Sequence, residues 1–258
     1  NEINLDLSLQ QKLDFLTKGL SLNIKGSYNS GYTHRKNRYK EIPYYTAHRD
    51  PETNELFFRK FREESQLYFE ESTDRGRNWY LEGSLNYDRK FGKHQVGALI
   101  LYNQWRDQYP DPAQFDYVSI PRGYVGLVGR ATYNFDNRYL LGASFREDGS
   151  SRFGLNNQYG FFPSFSAAWR VSNENFFENA KKVIDDMKVR LSYGTVGNAE
   201  IGDYASMARY ENKRLPFGKD MTTIVTLKSM ANPDLRWEKS RQLDAGIDLS
   251  FFNGRIEF

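Results

Sequence analysis

The residues best equipped for chemistry lie in two short polar runs. Arg146-Glu147-Asp148-Gly149-Ser150-Ser151-Arg152 gathers carboxylates, cations and hydroxyls. Such a run could line a polar mouth or hold a cation. Asp followed by Gly is also what a turn needs, and a turn closed by rim ion pairs is the simpler reading. Asp107 to Asp116 (DQYPDPAQFD) mixes acids with aromatic rings in what reads as a loop. Trp105, Tyr109, Phe115 and Tyr117 would either stack on sugar rings or pack this loop against its neighbours, and residue type does not choose between the two. These four rings, with Arg146, Asp148 and Arg152, are the candidate substrate contacts.

No residue pattern points to catalysis, a metal or a cofactor. The three histidines, His34, His48 and His94, are scattered without an i, i+4 pair, and there is no cysteine to supply thiolate ligands or disulfides. No Ser/His/Asp arrangement can be read from the spacing, although a barrel enzyme could assemble one in space. Gly123-Tyr124-Val125-Gly126-Leu127-Val128-Gly129 superficially suggests a phosphate-binding loop. No helix follows it and the glycine spacing is wrong, so it reads as a strand. A net charge of +3 with dispersed Lys and Arg argues against a nucleic-acid partner.

The elements that must position these residues are strands. Over Ile3 to Phe15 the odd positions (Ile3, Leu5, Leu7, Leu9, Leu13, Phe15) are apolar apart from Gln11, and the even ones (Asn4, Asp6, Ser8, Gln10, Lys12, Asp14) are polar. A period of two puts each set on its own face of a strand. The alternation returns in Leu20–Asn29, Trp79–Asp88, Val96–Tyr102, Val125–Phe135, Tyr139–Phe145, Phe165–Val171, Val189–Tyr193 and Gln242–Phe251, and a further strand begins at Arg255. The third of these is less clean, because Leu99 and Leu101 fall on the other side. Nine strands and a tenth begun are expected. Short connections at 17–19, 89–93, 136–138 and 252–254, and a medium one at 172–186 with a helical turn over Phe176–Asp186, alternate with long ones at about 33–76, 106–121, 147–162 and 197–234.

Strands past ten residues, short turns on one rim and long loops on the other are the pattern of an outer-membrane barrel. Soluble sandwich or propeller strands average only about 5–6 residues. Aromatic residues make up 16% of the chain, and many cap the apolar faces (Phe15, Tyr28, Trp79, Tyr87, Tyr102, Phe135, Tyr139, Trp169, Tyr193), as two interfacial girdles require. No stretch approaches the roughly 20 apolar residues of a membrane helix. The expected fold is therefore all-β, a transmembrane antiparallel up-and-down barrel. Ten strands with the last unfinished do not close, so residues 1–258 are expected to be one part of a larger barrel. Leu5, Leu85, Leu127, Leu191 and Ile247 should face lipid. Asp6, Glu82, Asn86, Arg130, Arg146, Lys188, Arg190, Asp244 and Asp248 should face the lumen. Lys239 and Arg241 fall on the lipid face above Leu243–Phe251, where lipopolysaccharide phosphates would pair with them.

Three segments resemble the SusC/RagA family of TonB-linked outer-membrane proteins. They are LNYDRKFGKH (85–94); FREDGSSRFGLNNQYGFFPSFSAAWRVSNENFF (145–177), continued by VRLSYGTVGN (189–198); and NPDLRWE (232–238), followed by Gly246-Ile247-Asp248 and Phe252-Asn253-Gly254-Arg255-Ile256. Residues 33–76 and 199–231 match no family pattern, as variable outer loops would. The resemblance implies a barrel of about 22 strands, with a plug domain and a TonB box outside this sequence. It also implies a SusD-like surface lipoprotein as lid, TonB as energy source, an oligosaccharide or peptide as cargo, and no catalysis. A scaffold role in a surface assembly, or a barrel enzyme, are the competing readings.

Overall fold

The computed structural model describes residues 2–108, 121–203, 205–218, 220–252 and 254–258. Its strands are β1 (Glu2–Lys12), β2 (Leu20–Tyr39), β3 (Tyr44–Arg49), β4 (Leu56–Arg62), β5 (Tyr68–Phe91), β6 (His94–Gln108) and β7 (Arg122–Phe135). They continue with β8 (Tyr139–Ser150), β9 (Tyr159–Arg170), β10 (Ile184–Asn198), β11 (Arg209–Phe217), β12 (Asp220–Ser229), β13 (Glu238–Phe251) and β14 (Ile256–Glu257). One antiparallel sheet runs β1-β2-β5-β6-β7-β8-β9-β10-β13-β14, so each strand pairs with the next in the meander and the sheet remains open. The expected nine strands and the start of a tenth are this sheet.

The register keeps the two residue sets apart across all of its strands. Leu22, Leu85, Ile100, Gly129 and Phe145 oppose one another in one row, and Leu9, Ile24, Gly83, Tyr102 and Leu127 in the next. Opposite residues of an antiparallel pair share a face, so these rows form a continuous apolar surface. It is well exposed, with Ile3 at 66% and Leu9 at 54%, which suits contact with lipid rather than water. The other face carries the rows Lys25, Glu82, Asn103, Gly126, Asp148 and Gly160, and Asp88, Gly97, Thr132, Gly142, Ser166, Ser192 and Asp244. Leu99 and Leu101 do fall on this polar face, where they oppose Arg130 and Val128.

The connections differ between the rims. On one rim the β7–β8 turn has positive φ at both Asp136 (51°) and Asn137 (52°), the conformation of a type I′ turn whose twist matches the flanking strands. Arg138 N–H closes it onto the Phe135 carbonyl at 2.8 Å. The link from β9 to β10 is three single 3-10 turns, Val171–Asn173, Asn175–Phe177 and Ala180–Lys182. The helical turn expected over Phe176–Asp186 is therefore shorter, and Ile184–Asp186 already belong to β10.

On the other rim the strands run further than alternation alone indicated. Twenty residues of β2 pair with β5 up to Tyr39 and Tyr68, and the connection beyond them holds the β3–β4 hairpin. The expected loop 197–234 likewise contains the β11–β12 hairpin. The expected loop 147–162 shrinks to residues 151–158, because β8 continues to Ser150 and β9 begins at Tyr159. Backbone pairing persists there although the side chains no longer alternate.

The buried core is small and sits on the polar side of the sheet. Among the described residues Phe153, Phe162 and Trp237 form its one cluster, with Tyr124, Ala199, Ile201 and Leu235 packed around them, while Val171 and Phe177 are buried separately in the β9–β10 link. Phe162 opposes Arg146 in the register, so this cluster plugs the long-loop end of the polar face.

Candidate functional site

Tyr80, Trp105 and Tyr124 oppose one another on β5, β6 and β7 at the long-loop end of the polar face. The Trp105 and Tyr124 rings stack with centroids 6.1 Å apart and planes 14° from parallel. One row further in, Arg146 Nε donates to both oxygens of Asp148, at 2.8 and 2.6 Å, and its Nη2 donates to the Tyr124 hydroxyl at 2.7 Å. The two residues stand at i and i+2 on β8, which places both side chains on one face. Asp148 is 8% exposed and Arg146 46%, so the carboxylate is buried beneath a half-open guanidinium. Beside them Tyr80 donates to Glu82 at 2.5 Å, and Lys25 lies 3.5 Å from Glu82.

Arg146 and Asp148 are thus strand residues locked to each other, where the run Arg146–Arg152 had suggested a turn. Trp105 belongs to β6 and not to the loop that follows. The third charged candidate, Arg152, points elsewhere. It donates to the Ala199 carbonyl at 3.0 Å and lies 3.4 Å from Asp203, which also meets Arg122 at 2.6 Å. Tyr109, Phe115 and Tyr117 lie outside the described residues. Tyr124, which joins the stacked indole to the ion pair, was not among the candidates. Its only signal was its parity, polar-side in an otherwise apolar GYVGLVG run.

The loop segments are pinned to this corner by contacts remote in sequence. Trp237 Nε1 donates to the Gln158 carbonyl at 2.9 Å, Asn157 Nδ2 to the Pro233 carbonyl at 3.1 Å, and Ser151 Oγ accepts from Gly123 N–H at 2.9 Å. The Phe162 ring lies so close over Gly197 that a Cβ there would sit 2.0 Å from its Cζ. Lys239, expected among lipid phosphates, instead holds its ammonium 5.6 Å above the Phe162 ring. Lys239 opposes Gly197 in the register, and opposite residues share a face, so its side chain stands on the side of the sheet that the Phe162 ring covers.

The remaining lumen candidates share the polar face. Asn86 donates to Ser84 at 3.2 Å. Lys188 and Arg190 flank Asp248 at 2.7 and 3.2 Å. Arg130 and Asp244 lie in the rows of Leu99 and Ser192. A depression of about 580 Å³ near the short-turn end is lined by Thr132, Arg170, Lys188, Arg190 and Asp244 among others. Among the described residues no group of three or more His, Cys, Asp or Glu is placed to hold a metal ion. What the face offers is hydrogen bonding, ion pairing and ring stacking, the means of recognising a polar solute.

The family model described as "TonB dependent receptor-like, beta-barrel" matches residues 1–258. The chain is 38% identical over 203 residues to TonB-dependent receptor P3 of Formosa agariphila, covering 70% of this chain and 20% of that protein. It is 39% identical over 137 residues to TonB-dependent receptor SusC of Bacteroides thetaiotaomicron, covering 51% and 14%. The chain thus spans about a fifth or less of the curated relatives it matches. Among solved structures, the RagAB peptide importer in its closed-closed state superposes with a TM-score of 0.68 at 22% identity, over 99% of this chain and 28% of that one. That likeness is one of fold.

Proposed function

The chain belongs to the TonB-dependent receptor-like β-barrel family of the outer membrane, and from that premise we propose that its protein imports oligosaccharides or peptides across that membrane, driven by TonB. In this reading residues 1–258 are about ten consecutive strands of the receptor barrel, the plug lies elsewhere in the protein, and this segment performs no catalysis. The observation that carries it is the mouth of the polar face, where Trp105, Tyr124, Arg146 and Asp148 form one linked group. A stacked indole offers a flat apolar surface for a sugar ring or an aromatic side chain. The half-open Arg146 keeps donor capacity toward the lumen beyond its bond to Asp148.

A SusD-like surface lipoprotein is the proposed lid. The β3–β4 and β11–β12 hairpins supply its contact, since they expose Tyr45, Phe57, Phe58, Tyr210 and Phe217 amid mixed charge, a composition suited to a protein interface. Loops of this length usually carry function rather than mere closure.

Uptake of labelled oligosaccharide and peptide pools by cells carrying the full receptor tests the reading. Trp105→Ala should lower uptake while surface expression is unchanged, and deleting residues 41–65 should weaken co-purification of the lipoprotein without unfolding the barrel. Unchanged uptake of both pools on deleting the whole receptor would reject import of either class.

A further inference from the structure

The outer ends of β2, β5 and β6 carry a cluster of arginines on the apolar face. Tyr28, Trp79 and Arg106 oppose one another, followed outward by Ser30, Arg77 and Gln108 and then by Tyr32 and Arg75. This is the face of Leu5, which opposes Tyr28. Between Tyr87 and Trp79 a tilted strand climbs about 20 Å, close to the roughly 25 Å apolar band of such barrels. Arg106, Arg77 and Arg75 therefore begin where hydrocarbon ends. All three are exposed. Arg77 Nε donates to Gln108 at 2.8 Å, and the Arg75 guanidinium lies 5.9 Å from the centroid of the Tyr32 ring.

Among the described residues none of the three pairs with a carboxylate. The acids nearest in sequence, Asp74 and Asp107, oppose Thr33 and Asn78 on the polar face. Glu71, further out on the face of the arginines, is already held by Lys36 and His34. A depression of about 440 Å³ runs between Tyr28, Tyr32, Arg75, Arg77 and Gln108, large enough for a phosphorylated sugar.

We propose that Arg75, Arg77 and Arg106 form a site for the phosphate groups of a lipopolysaccharide glycolipid in the outer leaflet. The guanidinium fork matches two phosphate oxygens at once and keeps its charge at the membrane surface. Trp79 and Tyr28 continue the site downward into the layer where acyl chains meet headgroups. That continuity selects a lipid-borne phosphate, because a free anion gains nothing from the rings below. The site rests on the outer-membrane placement of the sheet and is independent of the cargo.

The test uses the full-length receptor in phosphatidylethanolamine nanodiscs doped with bisphosphorylated lipid A, its retention read by native mass spectrometry. The triple variant R75Q/R77Q/R106Q should weaken retention on the order of a hundredfold and each single variant about fivefold, as expected for arginines at an anionic surface. Arg35→Gln, on the polar face of β2, should change nothing, and dephosphorylated lipid A should bind the wild type as weakly as it binds the triple variant. The single variants decide the matter if the triple fails to insert. Equal retention by wild type and single variants, equal binding of dephosphorylated lipid A, or displacement by inorganic phosphate as effective as by lipid A would each overturn the proposal.

Discussion

Phe162 meets Trp237 edge-on, with ring centroids 5.5 Å apart and planes at 62°, and this contact ties a barrel strand to the segment that leads into β13. The same ring covers Gly197, so one side chain holds three stretches of chain at the long-loop rim. Among the described residues, three of the five buried hydrophobic side chains, Phe153, Phe162 and Trp237, are gathered there.

Gly197→Ala should therefore destabilise this rim. A Cβ at 2.0 Å from the Phe162 ring forces the ring out of its packing, at a cost of about 1–3 kcal/mol. Limited proteolysis should cut within 199–237 faster in the variant, while the heat-modifiable gel shift of the barrel persists. Phe162→Leu added to Gly197→Ala should restore resistance. No recovery in the double variant would mean that the ring is not the obstacle.

Arg146→Met should cost more than Asp148→Asn. Removing the guanidinium leaves a buried carboxylate with its charge uncompensated, worth about 2–3 kcal/mol for a pair half open to water. Asparagine keeps an acceptor for Arg146 and loses only part of the interaction. A double-mutant cycle in urea unfolding of the refolded barrel measures the coupling, and independence of the two substitutions would contradict the geometry.

The short-turn rim should weaken in acid through Glu174. The Tyr139 hydroxyl at 2.8 Å and the Trp169 indole N–H at 3.1 Å both donate to its carboxylate, and Arg138 lies 3.3 Å away. These donors, Tyr139 first, hold its pKa below the ordinary value of 4.5. A carboxyl with a depressed folded pKa stabilises above its unfolded value, and that contribution disappears as the pH falls through the folded one. The protection of the 171–177 amides, corrected for intrinsic exchange, should fall in the wild type as the pH drops through the depressed titration of Glu174. In Glu174→Gln that protection should already be reduced at neutral pH and show no such step.

Sidedness offers a direct check of the topology. The Asp136–Asn137 turn and the β11–β12 hairpin leave opposite rims of one antiparallel sheet. An epitope inserted at Lys213 should label on intact cells and one at Asn137 only after the outer membrane is permeabilised. The reverse pattern would invert the barrel.

The faces of the strands were legible because a period of two depends only on which residues are apolar, and Leu5, Ile24, Leu85 and Leu191 declare it without help. The strand ends were not. Past Thr33 on β2 and past Asp148 on β8 both faces meet polar surroundings, so pairing continues with no alternation to betray it. The β3–β4 hairpin was hidden for the same reason, being exposed along nearly its whole length. At the candidate site, Arg146 and Asp148 drew attention as charges, but residue type does not reveal that they bind each other. Tyr124 was masked by apolar neighbours on both sides. Trp237 and Phe162 meet through a fold that no local pattern encodes.

The long ladder between β2 and β5 also sets how the protein bears load. At about 3.3 Å per residue, its 20 residues of β2 reach about 65 Å, well over the membrane's thickness even when tilted. The hairpin at its tip thus works as a lever arm. Tension along the arm, as from a bound object dragged away from the cell, shears every rung of the ladder at once and meets high resistance. A sideways tug at Tyr39 and Tyr68 peels the rungs one after another, and a far smaller force suffices.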